Sequence, residues 1–284
     1  MTTNLLIAIK NIVDNPLSSI AYHSDSSNRV NLMGESLELY IKDIFCSSIQ
    51  TEAIAEKNKI FSQNFSYIGN QNNPPDLIIK NGDAVEIKKI ENLNSSIALN
   101  SSYPKAKLRA DSPMITKSCK ECEDWQEKDL LYVIGVVAKE NILKSLWFVY
   151  GDCYAAEKEI YEKIKNTISE GLKELPNLEL APTNELGRVN KVDPLGITCL
   201  RIRGMWQIEN PNRVFDYLIK NSEDEFSLNA VLLRSKYDSF PIEDRTALEN
   251  LKNANFSISN INIKSPNNPA NLLDAVLISF GRKI

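Results

Sequence analysis

The chain has 284 residues, 25% of them charged and 43% from the hydrophobic set, a mix that lets a globular protein bury a sizeable core without staples. Wholesale disorder, collagen and a chain-long coiled coil are excluded. The net charge of −4 argues against a general nucleic-acid coat, because non-specific affinity comes from neutralising phosphates with Lys and Arg.

Cys46, Cys119, Cys122, Cys153 and Cys199 are odd in number, and no secretory apolar segment precedes them, so they read as reduced thiols of a cytoplasmic protein. Cys119 and Cys122 form one C-x-x-C. Structural zinc wants four ligands, and the single histidine, His23, is far off in sequence. With one histidine, hydrolases built on two histidines or on a Ser-His-Asp set are set aside. No apolar run reaches the roughly 18 residues of a membrane span. No G-x-x-x-x-G-K-[ST] is present, so no nucleotide cofactor is expected.

In chain order, Val30 to Ser47 carries Met33, Leu37, Tyr40, Ile41, Ile44 and Phe45 at spacings of three and four, which predicts a core-facing helix. Glu38 sits at the margin of its apolar face, four residues before Lys42. Pro74 and Pro75 introduce two β-rich runs, Asp76 to Lys80 and Asp83 to Ile90, around Asn81-Gly82, a strong hairpin signal. Leu130 to Ala138 and Ser145 to Tyr150 are apolar with little alternation, as strands covered on both faces are. Asp152 to Leu175 has helical periodicity and ends at Pro176. After a turn-rich stretch, a strand is expected over Ile197 to Ile208. Beyond it come a strand near Leu228 to Arg234, a short helix around Asp244 to Asn253, and a helix or strand over Asn271 to Phe280. The fold class is α/β, one domain over 1–284 with a mixed central sheet flanked by helices.

Charge is uneven along the chain. Lys80 to Lys120 holds eight basic against four acidic residues, and Arg188 to Arg213 five against two. Such stretches form either solvated faces or phosphate-binding tracks.

The sharpest constellation is Pro75-Asp76 followed, ten residues on, by Glu86-Ile87-Lys88. On a strand Glu86 and Lys88 share a face while Val85 and Ile87 take the other. Two readings stand. In one, the pair faces solvent and does nothing. In the other, the charges are buried in the hairpin, which costs several kcal/mol unless they are paired or bind a metal. Asp76, Glu86 and the Ile87 carbonyl then offer oxygen ligands to a hard Mg²⁺. Lys88 would hold and help deprotonate the attacking water of a phosphodiester hydrolysis and stabilise the charge that develops. Register decides between faces. A two-residue turn at Asn81-Gly82 pairs residues whose numbers sum to 163 and puts Asp76 on the wrong face. A bulge or three-residue loop giving a sum of 164 pairs Asp76 with Lys88 and aligns all three groups.

Pro75-Asp76 with Glu86-Ile87-Lys88, after a helix carrying Gly34 and Glu38, resembles the PD-(D/E)XK nuclease superfamily. Ser101-Ser-Tyr-Pro-Lys-Ala-Lys-Leu108, Trp125-Gln-Glu-Lys-Asp-Leu-Leu-Tyr-Val-Ile-Gly135 and Leu146-Trp-Phe-Val-Tyr-Gly-Asp-Cys-Tyr154 narrow the likeness to the NgoPII-type group of type II restriction endonucleases, up to about Arg213. The resemblance implies a restriction-endonuclease-like core at about 30–175 and recognition elements within 91–125 and 185–284. It also implies Mg²⁺-dependent cutting of double-stranded DNA at a short palindrome, GGCC being the group's best-known target, by a homodimer. Catalytic roles carry over to Asp76, Glu86 and Lys88, and a second-metal or orienting role to Glu38. Lys105, Lys107 and Arg109, at alternate positions, suit phosphate contacts. Arg201 and Arg203 share a strand face and suit guanine, which a guanidinium fork matches at O6 and N7. Alternatives are a repair or mobile-element nuclease of the same fold with little sequence preference, and a non-catalytic DNA-binding protein.

Overall fold

The computed structural model describes residues 3–16, 20, 29–70, 73–138, 141–219 and 224–282; His23 lies outside them. The helices are α1 (Leu5–Asp14), α2 (Arg29–Cys46), α3 (Ile54–Asn64), α4 (Lys117–Lys120), α5 (Lys158–Lys173), α6 (Pro211–Val214), α7 (Arg234–Ser239) and α8 (Ile242–Glu249). The strands are β1 (Phe65–Asn70), β2 (Asn73–Ile79), β3 (Ala84–Ile90), β4 (Ile97–Asn100), β5 (Lys107–Arg109), β6 (Glu127–Val137), β7 (Leu143–Tyr150), β8 (Glu179–Leu180), β9 (Gly187–Asn190), β10 (Leu200–Ile202), β11 (Trp206–Ile208), β12 (Phe226–Leu233), β13 (Phe256–Lys264) and β14 (Leu272–Arg282).

A mixed sheet runs in the order β1-β2-β3-β6-β7-β12-β14-β13, with β5 added beside β6. The pairs β3·β6 and β7·β12 are parallel and the rest antiparallel. The apolar runs read as central strands are β6 and β7, in the middle of that order. Nearly every residue of both is buried, because side chains on both faces meet a core. The edge strand β13 instead alternates isoleucine with Ser, Asn and Lys, which blunts an exposed edge.

Two apolar layers flank the sheet. Leu5, Ile9 and Ile12 of α1, Leu37, Tyr40 and Ile41 of α2 and Leu248 of α8 pack on Leu77, Val85, Leu131 and Phe148. On the other face, Ile97 and Leu99 of β4, Leu108 of β5 and Phe215 pack on Ile78, Ala84, Ile134 and Trp147. α1 begins cleanly because the Asn4 side chain accepts from the Leu6 and Ile7 N–H groups, a strong N-cap.

Two expectations change. The strand expected over Ile197 to Ile208 is broken at Arg203-Gly204-Met205. β10 joins a small sheet with β8 and β9, while β11 pairs with β4. The helix expected from Asp152 starts at Lys158, since Gly151–Cys153 form a 3-10 turn. α1, α3, β1 and β13 were not singled out by periodicity.

Asp43 of α2 and Lys57 of α3 form an ion pair whose side chains are 0% and 6% exposed, and Ser48 Oγ donates to Asp43 at 2.6 Å. Lys57→Met strips a buried carboxylate of its cation and is expected to cost about 3 to 5 kcal/mol. The measurement is the urea midpoint; a loss under about 1 kcal/mol would mean that water reaches Asp43.

Candidate active site

The β2–β3 hairpin sets the geometry. Ile79 N–H donates to the Asp83 carbonyl and Gly82 N–H to the Ile79 carbonyl, both at 2.9 Å, leaving a three-residue loop of Lys80, Asn81 and Gly82. A two-residue type I′ turn needs positive φ at both central positions. Here Asn81 has it, at φ 55, and Gly82 does not. Outside contacts hold the loop. Asn81 N–H donates to Glu123 Oε1 at 2.7 Å, Lys128 Nζ to the Gly82 carbonyl at 2.9 Å, and Asp83 accepts from Tyr150 Oη and Lys236 Nζ, both at 2.6 Å.

Leu77 therefore faces Val85, and Ile78 faces Ala84, a sum of 162. The widened loop is present, but the register of 164 is corrected: Asp76 comes opposite Glu86, not Lys88. An even sum keeps Asp76, Glu86 and Lys88 on one face, and Val85 and Ile87 enter the opposite layer.

Asp76 Oδ2 accepts from the Ile87 N–H at 2.5 Å. Glu86 Oε1 pairs with Lys88 Nζ at 2.6 Å, the side chains being 13% and 25% exposed. Glu86 Oε2 is buried and has no hydrogen-bond partner. Burial first, and the Glu86 charge second, push the Asp76 carboxyl up to about 7, against the pull of Lys88 and the Ile87 N–H. Burial opposes the Lys88 charge, yet Glu86, Asp76 and Glu38 together hold this ammonium above its ordinary range. Glu38 also raises Asp76, so α2 brings its carboxylate to the site rather than to the far side of the helix.

Among the described residues, no group of three His, Cys, Asp or Glu side chains is arranged to hold a metal ion. Asp76 and Glu86 are two, and the Ile87 main chain lies between Glu86 and Lys88. Such a set fits a hard cation that keeps several waters, as Mg²⁺ does. The partnerless Glu86 oxygen and the upward shift of Asp76 both call for added positive charge.

The remaining candidates fall in different places. Lys107 pairs with Asp129, which also accepts from Lys236 at 2.6 Å, and Arg109 pairs with Glu127 at 2.9 Å. Arg201 and Arg203 do share a face, both resting on Glu185, with Arg201 Nη2 at 2.6 Å and Arg203 Nε at 2.5 Å. They belong to the region of the small three-stranded sheet. Lys105, expected to contact phosphate, lines a void of about 20 Å³ together with Glu86, Ser102, Tyr103 and Tyr132. Burial lowers its ammonium to about 8, with Glu86 resisting and Lys88 assisting. Sequence reasoning missed Tyr132, which sits beside Glu86 in the parallel β3·β6 register, a pairing that no local pattern announces.

A mixed sheet flanked by helices, with a buried carboxylate pair and a lysine converging from one hairpin, defines a restriction-endonuclease-like core. The family model of the NgoPII restriction endonuclease matches residues 3–264. The type II restriction enzyme NgoPII of Neisseria gonorrhoeae is 48% identical over 281 residues, which cover 98% of this chain and 99% of that protein. The chain belongs to the NgoPII restriction endonuclease family and is a type II, site-specific deoxyribonuclease. No solved structure matches it. No helix among the described residues is long and apolar enough to cross a membrane.

A carboxyl raised in the folded state stabilises the fold fully below its unfolded value, near 3.8, and loses that contribution as pH rises through about 7. Asp76→Asn is therefore expected to melt above wild type at pH 8 in chelator, by at most about 4 kcal/mol. The gap should close toward pH 4. Melting curves across that range test it, and a gap that widens toward acid would refute the shift.

Proposed function

We propose that this endonuclease hydrolyses double-stranded DNA with Mg²⁺ held by Asp76, Glu86 and the Ile87 carbonyl, releasing 5′-phosphate and 3′-hydroxyl ends. The observation that carries this is the half-buried Asp76 and Glu86 pair on one face, with a buried Glu86 oxygen left without a donor. When bound, the cation would supply Lewis-acid charge at the phosphate and an acidified water. Lys88, kept protonated by its three carboxylate neighbours, acts as a donor to the attacking water and as a positive charge toward the phosphate oxygens. Glu38 orients this cluster from α2. Water attacks phosphorus and gives up a proton to a phosphate oxygen or to solvent, the bond to the 3′ oxygen breaks, and that oxygen leaves as a hydroxyl by taking a proton from surrounding water.

For recognition we assign a GC-rich palindrome of the GGCC kind, read by elements within 91–125 and 185–284. Lys107 and Arg109 serve phosphates, and Arg201 and Arg203 read guanine. Glu185 orients the two guanidinium groups and must share or release them when bases are engaged. A homodimer is the natural partner of a palindrome. Ile160, Ile164 and Ile168 form an outward stripe on α5, 47%, 52% and 47% exposed, while Glu162 bonds Tyr103 and Lys165 bonds the Asn184 carbonyl on the inner side. This inverted amphipathic helix supports a second copy on its apolar face. Family membership favours site-specific cutting over a low-specificity repair or mobile-element nuclease and over a non-catalytic DNA-binding protein.

Plasmid DNA with Mg²⁺ should give discrete fragments, and chelator should stop the reaction. Glu86→Ala and Lys88→Ala should each lower cleavage by well over tenfold while retaining specific binding in Ca²⁺. Tenfold is only about 1.4 kcal/mol of barrier, too little for either role, so activity within that margin removes the site.

Arg201→Ala is expected to weaken cognate binding by roughly 1 to 3 kcal/mol and scrambled DNA much less. Titration of both duplexes at two salt concentrations reads this. Equal losses on the two would move the residue to the phosphate class.

A further inference from the structure

The sequence groups Lys105 with Lys107 and Arg109, and the structure separates them. Lys107 and Arg109 lie on β5, their charges committed to Asp129 and Glu127. Lys105 precedes β5, and its backbone is pinned against β6. Its N–H donates to Tyr132 Oη at 2.8 Å, and the same hydroxyl donates to its carbonyl at 3.2 Å. Gly151 leaves room from below: a Cβ there would stand 2.5 Å from the Lys105 carbonyl oxygen and 2.4 Å from that of Ala106. The loop can come this close only over a glycine.

The Lys105 ammonium donates to Ser102 Oγ, lies 3.5 Å from the Tyr103 carbonyl and 5.5 Å from the Tyr103 ring centroid. Among the described residues it has no carboxylate within ion-pair distance. A half-buried cation whose direct partners are all neutral favours an incoming anion. Its position says which one. Lys105 and Tyr103 line the small void shared with Glu86, and both also line two larger clefts of about 510 and 660 Å³. A group moving from either cleft toward Glu86 passes this ammonium, and the void, about 20 Å³, has space for little more than one water. The remainder of an incoming phosphodiester has to stay on the Lys105 side.

We propose that Lys105 is a second catalytic cation, donating to a non-bridging oxygen of the phosphate that is cut. It rests on the Proposed function for the place of the reaction, and deepens it by giving the phosphate a second cationic anchor besides Lys88. Tyr132 is a positioning residue that acts through the Lys105 backbone.

The test compares single-turnover cleavage of a cognate duplex in Mg²⁺ with binding of the same duplex in Ca²⁺, using Lys105→Ala, Lys105→Arg, Lys105→Met, Tyr132→Phe and Glu86→Ala. Lys105→Ala and Lys105→Met should slow the chemical step at least about 100-fold, the scale of one lost transition-state donor, with affinity changed less than about threefold. Ethylamine should restore part of the rate to Lys105→Ala and none to Glu86→Ala. Lys105→Arg should recover part of the loss, and Tyr132→Phe should slow the step with an unchanged melting temperature. A Lys105→Met enzyme that cuts within about threefold of wild type at saturating protein, or loses affinity while keeping its rate, overturns the proposal and returns Lys105 to the outer phosphate contacts. Loss of rate with a lowered melting temperature and no rescue by amine also overturns it, in favour of a structural role. If Glu86→Ala itself remains active, it is the placement of the reaction at the hairpin that fails.

Discussion

Two carboxylates set side by side with too little positive charge around them govern this molecule. The β2·β3 register sets Asp76 across from Glu86, Glu38 approaches from α2, and among the described residues Lys88 is the one cation within ion-pair distance of Glu86. Burial first and the neighbouring Glu86 charge second push Asp76 to about 7, and the surrounding carboxylates hold Lys88 charged. The hairpin maintains this arrangement because β3 is locked into the sheet by β6, pairing from Ala84 to Ile90. Function and local instability have the same source: the deficit of positive charge is the capacity to take up a cation.

The scaffold that carries the deficit is correspondingly stiff. β6 and β7 are covered on both sides, so the site rests on side chains with no freedom to drift. A second polar network ties the end of the sheet to the C-terminal part of the chain: Lys236 of α7 reaches both Asp83 and Asp129 at 2.6 Å, and Tyr150 donates to Asp83 at the same distance. That network fixes the hairpin loop and, through Lys107 on Asp129, the strand that follows Lys105. Aromatic packing finishes the wall. Tyr103 stacks on Tyr161 with centroids 5.4 Å apart, and Trp206 meets both rings edge-on, which fastens the β4–β11 ribbon to α5.

Local pattern was enough for the parts of this fold whose physics is local. The period of three and four in α2 and the unbroken apolar runs of β6 and β7 each state their structure in neighbouring residues, and Asn-Gly marks where the hairpin turns. The strand expected over Ile197 to Ile208 shows the limit. Its apolar and cationic alternation is genuine, but Gly204 breaks it, and the two halves find partners, β9 and β4, that are distant in sequence. The same holds for the cations. Alternation made Lys105, Lys107 and Arg109 look equivalent, and acidic partners on β6 pair with two of them and not with the third.

By itself, then, the sequence determined the class of chemistry: a carboxylate, a carboxylate and a lysine at hairpin spacing, with the longer phrases that mark the family. It could not determine how those groups meet. Shifting a hairpin by one residue exchanges its faces, and the local turn signal, two residues at Asn81-Gly82, pointed to the wrong parity. The contacts that widened the loop come from Glu123, Lys128, Tyr150 and Lys236, residues 42 to 153 positions away from the loop atoms they bond. Only the folded chain brings those groups to the loop, so only the tertiary structure could set Asp76 opposite Glu86 and leave a carboxylate oxygen without a donor.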